Sequence, residues 1–218
     1  TVEDPVEYQI AGINQVQMHE DIGLNFSTSL RSILRQDPDV LLIGEIRDEE
    51  TADIAVKFSL TGHLVFSTVH ANDAPSTIAR LLDLGIQPFL LGSSLNLIMA
   101  QRLVRTIDVD NKEEYTPSDT ELNHINISKS ESSKMKFYQG KPATSNHNTG
   151  YKGRTAIHEI LEVNSEMRNL ICENVSQNEI RNLAIKNGMT PLRDAGITKI
   201  KSGVTTIEEI LRSTVEDN

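Results

Sequence analysis

The run "DPDVLLIGEIRDEETAD", residues 37–53, constrains the fold of this chain more than any other stretch. Val40 to Ile43 are apolar at consecutive positions, without the alternation of a half-solvated strand. That pattern reads as a strand covered on both faces, as in a parallel sheet. Gly44 and Glu45 follow where the strand must end. Ligands of open α/β sheets bind beyond the carboxyl ends of such strands, so Glu45 stands where chemistry is usually carried out. A strand-end carboxylate can equally cap the helix that follows it, and residues 37–53 alone leave both readings open.

Three textures succeed one another along the chain. Residues 1–106 alternate short apolar strands ("VLLIG", "HLVFSTV") with amphipathic stretches ("FSTSLRSILRQ", "ETADIAVKFSL", "APSTIARLLDLG"), the pattern of βαβ units in an α/β, mostly parallel sheet. Residues 107–153 lose that periodicity and gain Ser, Asn, Lys and Thr, as an insertion would. Its apolar residues Leu122, Ile125, Ile127, Met135, Phe137 and Tyr138 offer only a small local core, and "SKSESSK" (128–134) is expected to lack fixed structure. Residues 154–218 return to helical patterning, a helical C-terminal subdomain. Asn164 and Ser165 stand where they could cap one helix, Ser176 with Glu179 forms a capping-box pattern before a second, and Thr205 stands as N-cap of the last.

Charge and cysteine usage narrow the function classes. The formal net charge is −10, which repels a phosphate backbone, so nucleic acid is not an expected partner. The single cysteine, Cys172, excludes an internal disulfide and any multi-cysteine metal site. No apolar run approaches the length of a membrane span. The first residues, "TVEDPVEY", already read as a strand end, and the chain is expected to be a piece of a longer protein.

Polar residues collect at the strand ends of the first region. Glu3 and Asp4 close the first apparent strand, Glu45 the second and His70 the third, with Asn72 and Asp73 just beyond. Parallel strands would bring Glu3, Glu45 and His70 to one carboxyl edge, where two carboxylates and an imidazole can share a water or a metal-bound phosphate. His63 starts the strand that His70 ends. Seven extended residues separate them by roughly 23 Å, so the two imidazoles cannot meet one phosphate. Arg31 and Arg35 lie one helical turn apart on one face, where a solvated stripe is the ordinary reading.

Six ordered stretches carry a resemblance: "TVEDPVEY", "LRSILRQDPDVLLIGEIRDEETA", "TGHLVFSTVHANDAPSTIARLLDLG", "QRLVR", "TGYKGRTAIHEIL" and "GMTPLRDAGITKIKSGVTTIEEIL". Together they resemble the C-terminal part of the secretion-superfamily ATPases, the motors of type II secretion and type IV pilus assembly. The resemblance implies a RecA-like P-loop NTPase core, ATP and Mg²⁺ as ligands, and a homohexameric cytoplasmic motor peripherally associated with the inner membrane. An inner-membrane platform protein and a cytoplasmic recruiting protein are the implied partners. By the same resemblance Glu3 belongs to an Asp box that positions magnesium and the attacking water, and Glu45 ends an atypical Walker B strand and polarises that water. In the family's His box, His70 faces the γ-phosphate and His63 relays domain position. Arg31, Arg35 and Arg154 match arginines used at subunit or domain interfaces.

The chain departs from the family pattern twice. No G-x-x-x-x-G-K-[ST] run occurs in the 218 residues, so the phosphate cradle of a Walker A loop is missing and these residues alone are expected to bind ATP poorly. Many members also carry two C-x-x-C pairs that bind zinc. Here the corresponding positions are Asp108, Asn111, Ala143 and Asn146, and no zinc is expected. A nucleotide-independent scaffold of the same fold is the alternative function. A helicase or packaging motor would need a basic channel that the sequence does not display.

Overall fold

The computed structural model describes residues 1–214. In chain order it contains β1 (Val2–Glu3), β2 (Val16–Gln17), α1 (Phe26–Ile33), β3 (Val40–Ile43), α2 (Glu49–Leu60), β4 (Leu64–Ser67), α3 (Ala74–Asp83) and α4 (Pro88–Ser94). Then come β5 (Leu97–Ile107), β6 (Lys112–Tyr115), α5 (Asp119–His124), α6 (Lys129–Ser132), β7 (Phe137–Gly140) and β8 (Tyr151–Glu162). The helices α7 (Ser165–Cys172), α8 (Gln177–Lys186), α9 (Leu192–Lys201) and α10 (Ile207–Ser213) complete the described chain.

Two compact units result, one of Thr1–Ile98 with Leu161–Lys186, the other of Met99–Ile160 with the residues from Asn187 onward. These units cut across the three regions read from the sequence. Residue 106 falls inside β5, residues 154–162 are strand rather than helix, and the helices after them divide between the units. The composition shift at 107 does not coincide with a boundary between the compact units.

The first unit is built on a four-stranded parallel sheet in the order β2-β1-β3-β4, with β3 and β4 in register from Val40 opposite Leu64 to Ile43 opposite Ser67. Leu41 and Ile43 are buried on one face, against which the amphipathic helices pack. Val40 and Leu42 on the other face are exposed, as are Leu64 and Phe66 beside them. The uniformly apolar β3 is therefore covered on only one face among the described residues, in contrast to the two-sided burial read from its sequence. Asn25 and Asp48 cap α1 and α2, and Asp73 closes a capping box with Ser76 at α3. Asn164 caps α7, and Ser176 with Glu179 forms the expected reciprocal pair at α8.

In the second unit β5 pairs with β8 and β6 with β7, the latter antiparallel. Leu122, Ile125, Ile127 and Phe137 join Val104, Ile157, Leu192, Ile200, Ile207 and Ile210 in one core, with Met135 packed against it. The apolar residues of the insertion thus gain partners from β5, β8, α9 and α10 instead of forming a core of their own. Residues 128–134, expected to be unstructured, contain the single helical turn α6, capped by Ser128 and Glu131. The last helix is capped by Thr206 rather than Thr205, whose buried hydroxyl donates to the Arg105 carbonyl oxygen at 2.7 Å.

Candidate functional site

The loop leaving β3 is stitched to both neighbouring strands. The Gly44 amide donates to the Val2 carbonyl oxygen at 2.7 Å, the Ile46 amide to that of Thr68 at 2.9 Å, and the Thr68 hydroxyl to that of Gly44 at 2.6 Å. Glu45 is thereby held between the ends of β1 and β4. The residue that caps the next helix is Asp48, whose carboxylate accepts from the Thr51 amide at 2.8 Å. Glu45 is therefore not the cap of α2.

Glu45 is 13% exposed, and its Oε2 lies 3.1 Å from Nε2 of His70, which is 89% exposed. Its other oxygen pairs with Arg47, whose guanidinium also stands 3.8 Å from Asp4. The Arg47 hydrogen bond, with a smaller contribution from His70, holds the Glu45 carboxyl below the usual carboxylate range against the opposing effect of burial. Glu3 accepts from the Thr1 hydroxyl and from Gln15 Nε2 at 3.1 Å, and these two bonds lower its pKa. Glu3, Asp4, Glu7, Glu45, Thr68 and His70 line one open cleft of about 340 Å³. An ionised carboxylate paired with an exposed imidazole can orient a water.

The remaining candidates lie elsewhere. His63 stacks on Phe58 with ring centroids 3.9 Å apart, approaches the Thr61 hydroxyl at 2.8 Å and lies 3.7 Å from Asp37. It does not line the cleft. Arg31 pairs with Glu50, and Arg35 donates from Nε to the Arg31 carbonyl oxygen at 3.3 Å. Arg154 is exposed on β8 in the second unit. Asp73 is occupied by its cap and by Arg181, 2.6 Å away on α8. Arg47 was missed in the sequence, although its spacing was a usable signal: in extended backbone it projects to the same side as Glu45, two residues earlier.

Asp108, Asn111, Ala143 and Asn146 do come together, through hydrogen bonds described below. One carboxylate, two amides and a methyl group do not make a tetrahedral zinc site, so zinc does not fit these residues. Among the described residues no three His, Cys, Asp or Glu side chains are grouped to hold a metal ion.

A family profile described as "Type II/IV secretion system protein" matches residues 1–212. The chain is 49% identical over 214 residues to the type II secretion system protein E of Xanthomonas campestris pv. campestris, covering 98% of this chain and 38% of that protein. It is 47% identical over 218 residues to the type IV pilus assembly ATPase PilB of Myxococcus xanthus, again 38% of the relative. The chain thus spans about two fifths of the length of these relatives. Among solved structures, the pilus retraction motor PilT with bound ADP superposes with a TM-score of 0.70 at 27% identity, over 99% of this chain and 52% of the other. The parallel sheet with its flanking helices is accordingly a RecA-like ATPase core. The chain belongs to the type II/IV secretion system protein family.

Proposed function

We propose that this chain forms part of a homohexameric motor that hydrolyses ATP to drive assembly of a type II secretion pseudopilus or a type IV pilus. The observation that carries the reading is the ionised Glu45 at the end of β3, hydrogen-bonded to His70 at the end of β4, in one cleft with Glu3. Relatives named as secretion proteins and as pilus assembly ATPases support the motor role.

In this reading Glu45 accepts a hydrogen bond from the attacking water and turns its lone pair toward the phosphate. His70, reachable from solvent, faces the terminal phosphate. Glu3 and Glu45 are the oxygen donors suited to a Mg²⁺ that arrives with the nucleotide, since Mg²⁺ takes one or two carboxylates besides the phosphates. When bound, Mg²⁺ would supply positive charge that offsets the charge on the phosphate oxygens. No G-x-x-x-x-G-K-[ST] run lies within the 218 residues, so these residues do not themselves supply a Walker A phosphate cradle. His63, packed on Phe58 away from the cleft, relays domain position. Arg31, Arg35 and Arg154 act at subunit or domain interfaces, where an added arginine makes hydrolysis depend on ring closure.

No helix among the described residues is long and apolar enough to cross a membrane. The motor is placed at the cytoplasmic face of the inner membrane, held there by a platform protein and a recruiting protein. The acidic net charge favours such protein partners over nucleic acid. The test is ATP hydrolysis by the whole protein, with its mass in solution measured alongside. A ring with Mg²⁺-dependent turnover is expected, and an intact ring without turnover would favour the scaffold.

A further inference from the structure

We propose that Asp108, Asn111 and Asn146 form a metal-free clasp that closes the base of the insertion, where many family members are expected to bind zinc. The inference stands apart from the assignment of hydrolysis to Glu45, because every residue in it belongs to the second unit.

The carboxylate of Asp108 is the centre of the cluster. It is buried, and its Oδ2 accepts from Asn111 Nδ2 at 2.7 Å and from Asn146 Nδ2 at 2.9 Å. Asn146, also buried, uses both ends of its amide. Its nitrogen donates to the Lys141 carbonyl oxygen at 3.0 Å as well, and its Oδ1 accepts from the amides of Ala143 at 2.9 Å and Gly150 at 3.1 Å. The backbone completes the tie, since the Asp108 amide donates to the Gly150 carbonyl oxygen at 3.0 Å and the Lys141 amide to that of Asn111 at 2.8 Å. Gly140 and Gly150 cross so closely that a Cβ on Gly140 would stand 1.8 Å from the Gly150 oxygen. Two chain segments more than thirty residues apart are thus joined at one point, and the β6–β7 ladder runs out from it.

All four positions expected to carry zinc-binding cysteines in relatives take part, three through side chains and Ala143 through its amide. A tetrathiolate site joins two such segments by four bonds to one ion. Here the bond from Asn146 to the Asp108 carboxylate and the two backbone bonds do the joining, while Asn111 fixes the carboxylate from its own segment. Buried polar networks of this kind are stable only when every member is satisfied, so the clasp should fail as a unit. Removing Asn146 takes from the Asp108 carboxylate its donor on the other segment and leaves the amides of Ala143 and Gly150 without their acceptor.

The test compares amide hydrogen exchange in the wild type, Asn146→Ala and a variant with Asp108→Cys, Asn111→Cys, Ala143→Cys and Asn146→Cys combined. Asn146→Ala should speed exchange at residues 141–150 by roughly ten-fold or more and leave residues 26–60 unchanged. Wild-type exchange should not respond to a chelator. The four-cysteine variant should take up one Zn²⁺ from zinc chloride, show the absorption of tetrahedral thiolate when given Co²⁺, and exchange fast at 141–150 once the ion is stripped. Unchanged exchange in Asn146→Ala, stoichiometric zinc on the wild type in this region, or a folded four-cysteine variant that binds no zinc would each overturn the proposal.

Discussion

Glu209 offers the sharpest test of what holds the second unit together. Its side chain is 0% exposed in the first turn of α10, and it accepts four hydrogen bonds and makes a further ion-pair contact. Oε1 accepts from the Arg105 amide at 2.9 Å and Arg212 Nη2 at 2.7 Å, while Oε2 accepts from Arg105 Nε at 2.8 Å and from Arg212 Nε at 3.1 Å and pairs with Arg105 Nη2 at 2.7 Å. Arg105 is also stacked 4.0 Å over the Tyr151 ring, which limits its freedom to turn toward water. Glu209→Ala leaves the Arg105 amide without its acceptor, at about 1–3 kcal/mol, and strands a guanidinium that is only 35% exposed. Breaking a buried pair from one side costs about 3–5 kcal/mol. Because Arg212, 58% exposed, can rehydrate, we expect the lower part of that range. Arg212→Ala, which removes only the exposed partner, should cost about 1 kcal/mol or less. The chain has no tryptophan, so urea unfolding followed by far-ultraviolet circular dichroism is the assay. Equal costs for Glu209→Ala and Arg212→Ala would refute the argument that burial sets the difference.

Three further outcomes follow from the same structure. Burial would raise the Glu209 pKa, but the hydrogen bonds from Arg212 and Arg105 outweigh it and hold the folded value below the ordinary one. Its contribution is therefore complete above the usual glutamate range near about pH 4.3 and is lost as pH falls through the lowered value. The stability gap between wild type and Glu209→Gln should narrow on acidification below that range, and a constant gap from neutral to acid pH would contradict this. A Cβ at Gly196 would stand 2.7 Å from the fully buried Ile210, so Gly196→Ala should destabilise by about 1–2 kcal/mol despite its better helix propensity, and a higher unfolding midpoint would show slack between α9 and α10. If Arg31 acts across subunits, mixing Arg31→Ala with Glu45→Gln protomers of the whole protein should recover some ATPase activity that neither variant shows alone; no recovery in confirmed rings would assign the arginine to its exposed pair with Glu50.

The cleft was legible because strand ends are local. The apolar run 40–43 and the residue after it fix both the strand and the place of Glu45, and the same logic brought in Glu3 and His70. The second unit was harder to read because its core is assembled from residues far apart in sequence. Leu122 and Phe137 look like a meagre local cluster until Val104, Ile157, Leu192 and Ile210 join them, and no short window contains that pairing. Strand β8 was hidden by its mixed inner face, where buried Glu159 stands between Ile157 and Leu161 and accepts from the Leu192 amide at 3.1 Å. The one-residue shift from Thr205 to Thr206 turned on which hydroxyl the Arg105 carbonyl engages, a long-range bond that a capping pattern cannot contain.

The proposed role of Glu45 in hydrolysis is tested by Glu45→Gln in the whole protein. The substitution keeps the shape of the side chain and leaves Asp48 to cap α2, so fold and nucleotide affinity should be preserved. Removing a group that orients or deprotonates the attacking water should lower turnover by about 100-fold or more, on the order of 3 kcal/mol of barrier. The measurement is steady-state ATP turnover beside equilibrium binding of a nucleotide analogue, both on assembled protein. Binding within a few-fold of wild type with turnover reduced about 100-fold is the predicted result. Turnover equal to wild type, with binding intact, would take Glu45 out of the mechanism.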